Sequence, residues 1–172
     1  MSFLDLAKKR CSTRAYQPVP VSQEHIDAIV EAARVAPTAA NRQPVRILQV
    51  TSEEGLASLA KAANVFDAPL AFVVCADGEK AWKRPLDGMS TVHVDASILT
   101  DHMMLAASAL GLGSVWICYF QPEAVKAAGA RCVMLNHAER PMTLENLCKA
   151  VGRAREIGLM SVVCASSCAE AA

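Results

Sequence analysis

The sequence predicts a fold that mixes helices with a sheet, and three observations carry that expectation. Between Ser22 and Pro37 the apolar residues Ile26, Ile29, Val30 and Ala33 recur at helical spacing. Leu70 to Ala76 is an almost continuous apolar run, the pattern of a strand covered on both faces. Asp95 to Leu110 reads as a long helix that Gly111-Leu-Gly113 ends, and Ser114 to Phe120 follows as a strand rich in branched and aromatic residues. At 172 residues the chain is long enough to bury one good core and too short for two complete enzymes.

The remaining elements fall between these. Leu4 and Leu6 open a short amphipathic helix that ends in Lys8, Lys9 and Arg10, and Ser22 is the expected N-cap of the helix that stops before Pro37. Pro37 to Pro44 is a loop by its prolines and polar residues, and it leads into a strand at Arg46–Val50. Thr51 and Ser52, followed by Glu53 and Glu54, cap a helix expected to run to about Asn64. Residues 77–93 have no period and read as an irregular excursion over the core, and Gln121-Pro122-Glu123 starts another short helix. Beyond Ala128 the texture changes: Gly129–Asn136 reads as a strand, Thr143–Ile157 as a helix and Leu159–Ala165 as a strand.

Charge and composition exclude several classes of function. Lys plus Arg and Asp plus Glu are balanced at 17 each, so no overall field attracts nucleic acid or an anionic membrane, and any anion site is local. No uncharged run approaches the ~20 residues that span a bilayer. The N-terminus has no apolar segment of the secretory kind, so a cytoplasmic location is expected. The seven cysteines show neither CxxC pairs nor a histidine at zinc-like spacing; reduced thiols and no metal are the expectation.

Two constellations are candidates for chemistry. In Arg10-Cys-Ser-Thr-Arg14, two guanidinium groups four apart beside a hydroxyl suit a phosphate or a carboxylate, although basic residues solvated at a helix end are the ordinary alternative. In the loop from Pro37, the side chains of Thr38, Asn41 and Gln43 present donors and acceptors suited to the edge of a planar heterocycle, although the loop also reads as a plain connection.

Taken together, Lys-Arg-x-Ser-x-Arg-x-Tyr, then Ala-Pro-Thr-Ala-x-Asn-x-Gln-Pro, then a strand, resemble the opening of the nitroreductase family. The resemblance continues through Lys80-Ala-Trp-Lys-Arg-Pro85, Asp101-His-Met-Met-Leu-Ala-Ala107 and Leu110-Gly-Leu-Gly-Ser-Val-Trp-Ile-Cys118, and covers roughly residues 3–127. It implies an α+β fold, a three-layer α/β/α sandwich with a central mixed sheet, built as a homodimer with FMN at the interface. It also implies electron transfer from NADH or NADPH through the flavin to a nitroaromatic, quinone or similar small acceptor, with no catalytic protein nucleophile.

By that resemblance Arg10, Ser12 and Arg14 match positions that hold the FMN phosphate and ring edge. Pro37, Thr38, Ala39, Asn41 and Gln43 match the loop lining the flavin, part of it expected from the partner subunit. Ile117 and Cys118 match the strand end passing over the ring, where backbone amides make the contact. Cys118 need not be catalytic, and a buried strand residue is its ordinary reading. Core or dimer packing is favoured for His102, and packing is the commoner role for Trp82 and Trp116. Arg14, Lys83 and Arg84 are placed to meet a nucleotide 2′-phosphate, with solvated surface charge the plainer role of the latter two.

The family pattern breaks after Ala127. Residues 129–142 and 153–164 resemble a central piece of an archaeal-type triosephosphate isomerase, with His137 matching its electrophilic histidine and Glu139 beside it. The chain thus divides into a flavin-binding domain at 1–128, incomplete at its C-terminus, and an isomerase-like strand-helix-strand fragment at 129–172. One such unit is far from a closed eight-unit barrel. Two alternatives to the reductase stay open: a flavin-binding or dimerisation module without turnover, and an isomerase fragment active only by complementation. Arg131–Asn136 is expected to take the place of the missing sheet strand, because Cys132, Val133, Met134 and Leu135 form a suitable apolar run.

Overall fold

The computed structural model describes residues 2–127, 131–132, 142–143 and 157–167. Helix α1 (Phe3–Lys9) starts on a capping box in which Ser2 and Asp5 bond reciprocally. The Ser2 hydroxyl holds the Asp5 carboxyl below its ordinary range. Helix α2 (Gln23–Arg34) is capped by Ser22, whose Oγ accepts from the His25 amide, and buries Ile26, Ile29 and Ala33. Strand β1 (Val45–Val50) leads through the Ser52 cap into α3 (Glu53–Ala60), which ends short of the expected Asn64 as the chain folds back on itself with the Ala62 and Ala63 amides on the Leu59 carbonyl. Strand β2 (Ala71–Asp77), the long helix α4 (Val92–Ala109), strand β3 (Leu112–Ile117) and helix α5 (Pro122–Ala127) follow. The remaining strands are β4 (Arg131–Cys132), β5 (Met142–Thr143) and β6 (Ile157–Ser167).

The main sheet has the order β1-β2-β6-β3, and its ladders are antiparallel. Both faces are covered, which gives the three layers. Side chains on β1 and β2 alternate between them with the period of two that a pleated strand imposes. Ile47, Phe72, Val74 and Ala76 pack towards α2 and α4 with Ile29, Leu99 and Met103. Leu48, Val73 and Cys75 face the other way, against Leu59, Val65 and Val125 of the α3 and α5 layer. Each fully buried side chain such as Phe72 or Leu48 contributes roughly 1.5–3 kcal/mol relative to exposure.

Strand β6 corrects one expectation. Arg131–Cys132 pairs with Met142–Thr143 in a separate two-stranded ribbon, and the place between β2 and β3 belongs to Ile157–Ser167. A strand in that place must pair on both edges. β6 does so, running from Ala71↔Cys164 to Asp77↔Ile157 on one side and from Leu112↔Ser167 to Ile117↔Val162 on the other. The expected apolar run spans only four residues, too few to match either neighbour. The rest of that predicted strand, residues 133–136, and residues 144–156 of the predicted helix lie outside the described residues, as do His137 and Glu139.

Four smaller differences matter for the site. The 37–44 loop contains a 3-10 turn at Ala39–Asn41, and α4 begins at Val92 rather than Asp95. Strand β3 ends at Ile117, which leaves Cys118 outside the strand and exposed rather than buried. Within 77–91 the excursion is ordered as a tight hairpin, bridged at Lys83↔Ser90.

Candidate functional site

The Arg10–Arg14 segment is fixed by the sheet. It leaves α1 at Arg10 and lies parallel to the start of β3, with a bridge at Ser12↔Ser114 and the Thr13 amide donating to the Ser114 carbonyl at 2.9 Å. Tyr16 Oη donates to the Thr13 carbonyl at 2.7 Å and pins the far end. A cleft of about 80 Å3 opens beside it, lined by Lys9, Arg10 and Thr13 together with Ser108, Gly113 and Ser114. Ser114 is 1% exposed, and its Oγ has no hydrogen-bond partner among the described residues. Arg10 and Arg14 form no ion pair among the described residues. Of the predicted trio only Arg10 lines the cleft, while Ser12 and Arg14 are exposed on the segment beside it. A guanidinium group without an ion pair among the described residues, near a buried hydroxyl with spare bonding capacity, fits a phosphate group.

The 37–44 loop is built differently. Ala40, Asn41 and Gln43 all have positive φ, at 49°, 52° and 48°, a conformation that costs non-glycine residues energy and persists only where the surroundings over-determine it. Three hydrogen bonds supply the restraint. The Gln43 amide donates to Thr38 Oγ1 at 3.0 Å, Gln43 Nε2 donates to Asn41 Oδ1 at 3.1 Å, and Arg46 Nη1 donates to the Gln43 carbonyl at 3.1 Å. The Asn41–Gln43 bond leaves an amide donor on Asn41 and a carbonyl acceptor on Gln43, both on exposed side chains. Such a pair complements the alternating donors and acceptors of a heterocycle edge. Pro37 is exposed at the head of the loop.

Asp95, which the sequence offered only as part of a helix, organises this region. It is 1% exposed. Its Oδ1 accepts from the Ala39 amide at 2.8 Å, and its Oδ2 accepts from Thr91 Oγ1 at 3.0 Å. The same Thr91 hydroxyl and its amide both reach the Trp82 carbonyl, at 3.1 and 2.9 Å. One buried carboxylate in the first turn of α4 therefore joins the 37–44 loop to the hairpin that carries Trp82. An acidic residue there also meets the positive pole of the helix.

Within one chain these parts do not all converge. Asp95 and the loop lie at one end of α4, while Ser108 at the other end lines the arginine cleft. Asp95 and Ser108 are thirteen positions apart on the helix, about 20 Å at the ~1.5 Å rise per residue. Ile117 is buried in the core, so only its backbone is available to a ligand, and Cys118 follows it on the surface. His102 Nδ1 lies 2.9 Å from the Ile98 carbonyl on its own helix. Arg84 is taken by Asp87, with contacts of 2.8 and 2.6 Å, which removes it from the cations placed to meet a phosphate. Among the described residues no cluster of three or more His, Cys, Asp or Glu is placed to hold a metal, and no helix is long and apolar enough to cross a membrane.

A three-layer sandwich around an antiparallel sheet, with an arginine segment docked on one strand, defines a class shared with known proteins. The family model described as "Nitroreductase family" matches residues 7–66 and 57–129, and the chain belongs to that family. A protein of Archaeoglobus fulgidus provisionally named NADH dehydrogenase/NAD(P)H nitroreductase is 37% identical over 129 residues, 72% of each chain. The FMN reductase [NAD(P)H] of Bacillus subtilis is 32% identical over 121 residues, 60% of this chain and about half, 49%, of that protein. A solved nitroreductase family protein of Clostridium difficile superimposes with a TM-score of 0.81 at 38% identity, covering 99% of this chain and 87% of that one. The second resemblance is also present as a short partial match. The triosephosphate isomerase of Sulfurisphaera tokodaii is 52% identical over 46 residues, 27% of this chain and 20% of that enzyme.

Proposed function

We propose that the chain is an FMN-dependent oxidoreductase that takes electrons from NADH or NADPH and passes them to a small electron-poor acceptor such as a nitroaromatic or a quinone. The observation that carries this reading is the Arg10–Arg14 segment. In a chain of this family it docks on β3 and sets Arg10, which has no ion pair among the described residues, in a cleft with the Ser114 hydroxyl, which has no hydrogen-bond partner among them. Names among the relatives point the same way, since one is an FMN reductase and another is named for NAD(P)H nitroreductase activity.

Bound flavin supplies the hydride chemistry; the protein supplies orientation and electrostatics. Arg10, Ser12 and Arg14 hold the phosphate and the polar ring edge. Asn41 and Gln43 read the heterocycle with the donor and acceptor that their mutual bond leaves open, with Pro37, Thr38 and Ala39 shaping the loop around them. The backbone at Ile117 and Cys118 closes over the ring. No side chain is assigned a covalent or proton-transfer role.

The working unit is a homodimer in this reading. The arginine cleft, at about 80 Å3, is well below the ~300 Å3 at which ligand pockets begin, and the 37–44 loop stands at the other end of α4. A second copy brings its own loop to the first copy's arginines and encloses the cofactor. The division at residue 128 is then one of sequence origin, since β6 from beyond it pairs with β2 and β3. A cytoplasmic setting, with reduced thiols, suits such an enzyme.

The test is an absorbance spectrum of the protein loaded with FMN and freed of excess, followed by NADH and NADPH under anaerobic conditions. A retained flavin band that bleaches with either nucleotide is the expected result. Retained flavin that neither nucleotide reduces would leave a binding module, and no retained flavin would refute the reading.

A further inference from the structure

A second cleft, of about 610 Å3, lies beside the hairpin that follows β2 and is lined by Arg42, Glu79, Lys80, Ala81, Trp82 and Lys83, with Pro85 at its rim. Its volume is within the ~300–1,000 Å3 range of small-molecule sites. Three cations face one carboxylate there, in a protein whose total charges balance. Among the described residues none of Arg42, Glu79, Lys80 or Lys83 forms an ion pair. The neighbouring Arg84 is neutralised by Asp87, so the hairpin cations without an ion pair among the described residues, Lys80 and Lys83, are ones that line the cleft.

The walls are held in place. Asp77, at the end of β2, accepts the Glu79 and Lys80 amides on Oδ1 at 3.0 and 3.3 Å and the Ala81 amide on its carbonyl at 3.0 Å. The hairpin closes through the Lys83↔Ser90 bridge and the Gly88 amide on the Arg84 carbonyl, with Gly88 at a φ of 74° that suits glycine. Thr91 fixes the Trp82 carbonyl, and Asp95 ties Thr91 to Ala39, whose carbonyl in turn accepts the Arg42 amide at 3.1 Å. The half-buried indole of Trp82 and the three cations therefore sit on a common frame.

We propose that this cleft is a subsite for a flat aromatic ligand carrying a phosphate, with the ring on Trp82 and the phosphate held by Lys80, Lys83 and Arg42. Resting on the reductase reading above, the ligand is the adenosine 2′-phosphate end of NADPH, and the subsite makes the enzyme prefer NADPH to NADH. An indole offers a stacking face, and ammonium and guanidinium groups offer the donors that a dianion needs. AMP, which lacks the 2′-phosphate, is the natural contrast.

The holoprotein is titrated with adenosine 2′,5′-bisphosphate and with AMP while tryptophan emission is followed. The bisphosphate should quench emission and bind about tenfold or more tightly than AMP, the discrimination expected of charge-assisted bonds to one extra phosphate. Trp82→Phe should remove the quench. The Lys80→Ala/Lys83→Ala double variant should abolish the preference for the bisphosphate and lower the ratio of kcat/KM for NADPH to that for NADH by about tenfold or more. Equal binding of the two probes by the unaltered protein, or an unchanged ratio in the double variant, overturns the proposal. If neither nucleotide reduces the flavin the reductase reading fails, whereas the bisphosphate titration needs no turnover and still decides on the cleft.

Discussion

Replacing Asp95 separates two losses that the structure makes distinguishable. The carboxylate accepts one bond from the Ala39 amide and one from Thr91 Oγ1, and at 1% exposure neither is weakened by solvent. Hydrogen bonds to a charged group contribute about 1.5–3 kcal/mol each. Thr91 shares its single hydroxyl hydrogen between Asp95 and the Trp82 carbonyl, which lowers the worth of the second bond. Asp95→Ala should therefore cost about 3–5 kcal/mol. Asp95→Asn should cost only about 1–2 kcal/mol, the loss of charge assistance and of the favourable helix-pole interaction. Its carbonyl can still accept from Ala39, and its amide can donate to Thr91 Oγ1 while the threonine hydrogen goes wholly to Trp82. Urea denaturation reads both values, and amide hydrogen exchange at Ala39 should accelerate in the alanine variant and stay slow in the asparagine variant. If both variants fall within about 0.5 kcal/mol of the parent, or if the Ala39 amide stays protected after Asp95→Ala, the carboxylate does not hold the loop.

Three further outcomes test other parts of the structure. Ending the chain at residue 128 removes β6 and leaves the facing edges of β2 and β3 unpaired, so the truncated protein should aggregate, as gel filtration would show; a soluble monomer would place β6 outside the essential sheet. Arg10→Ala should weaken FMN retention by about 1.5–3 kcal/mol with little change in urea stability, since Arg10 pairs with no carboxylate among the described residues; unchanged flavin affinity would remove it from the phosphate site. The Asp87 carboxyl is held below its usual 3.8, first by the hydrogen bond from Arg84 and then by the Met89 amide. A depressed carboxyl stabilises the fold above its unfolded value and ceases to do so as pH falls through the folded one. The Trp82 hairpin should therefore keep its emission as pH falls to 3.8 and change only below it, a dependence that Asp87→Asn should abolish.

Much of this protein was determined by local pattern. Helical spacing placed α2, a continuous apolar run placed β2 between two covered faces, and Ser22 and Ser52 capped the helices that follow them, because each of these signals is satisfied within a few residues. The arginine segment and the 37–44 loop each read equally as ordinary features, and they became candidates only jointly, because their residues follow one another in the order that resembles the nitroreductase family. What only the tertiary structure decided depends on partners distant in sequence. The strand between β2 and β3 could not be chosen from apolar character alone, since Cys132–Leu135 and Leu159–Ala165 are both apolar runs; the need to pair along two neighbours at once selects the longer one. Asp95 looks like any acid in the first turn of a helix until folding brings Ala39, 56 residues away, onto its carboxylate. Lys83 and Arg84 are adjacent and alike in sequence, and the turn that gives Arg84 to Asp87 leaves Lys83 on the cleft wall with no ion pair among the described residues, a distinction of geometry rather than of residue type.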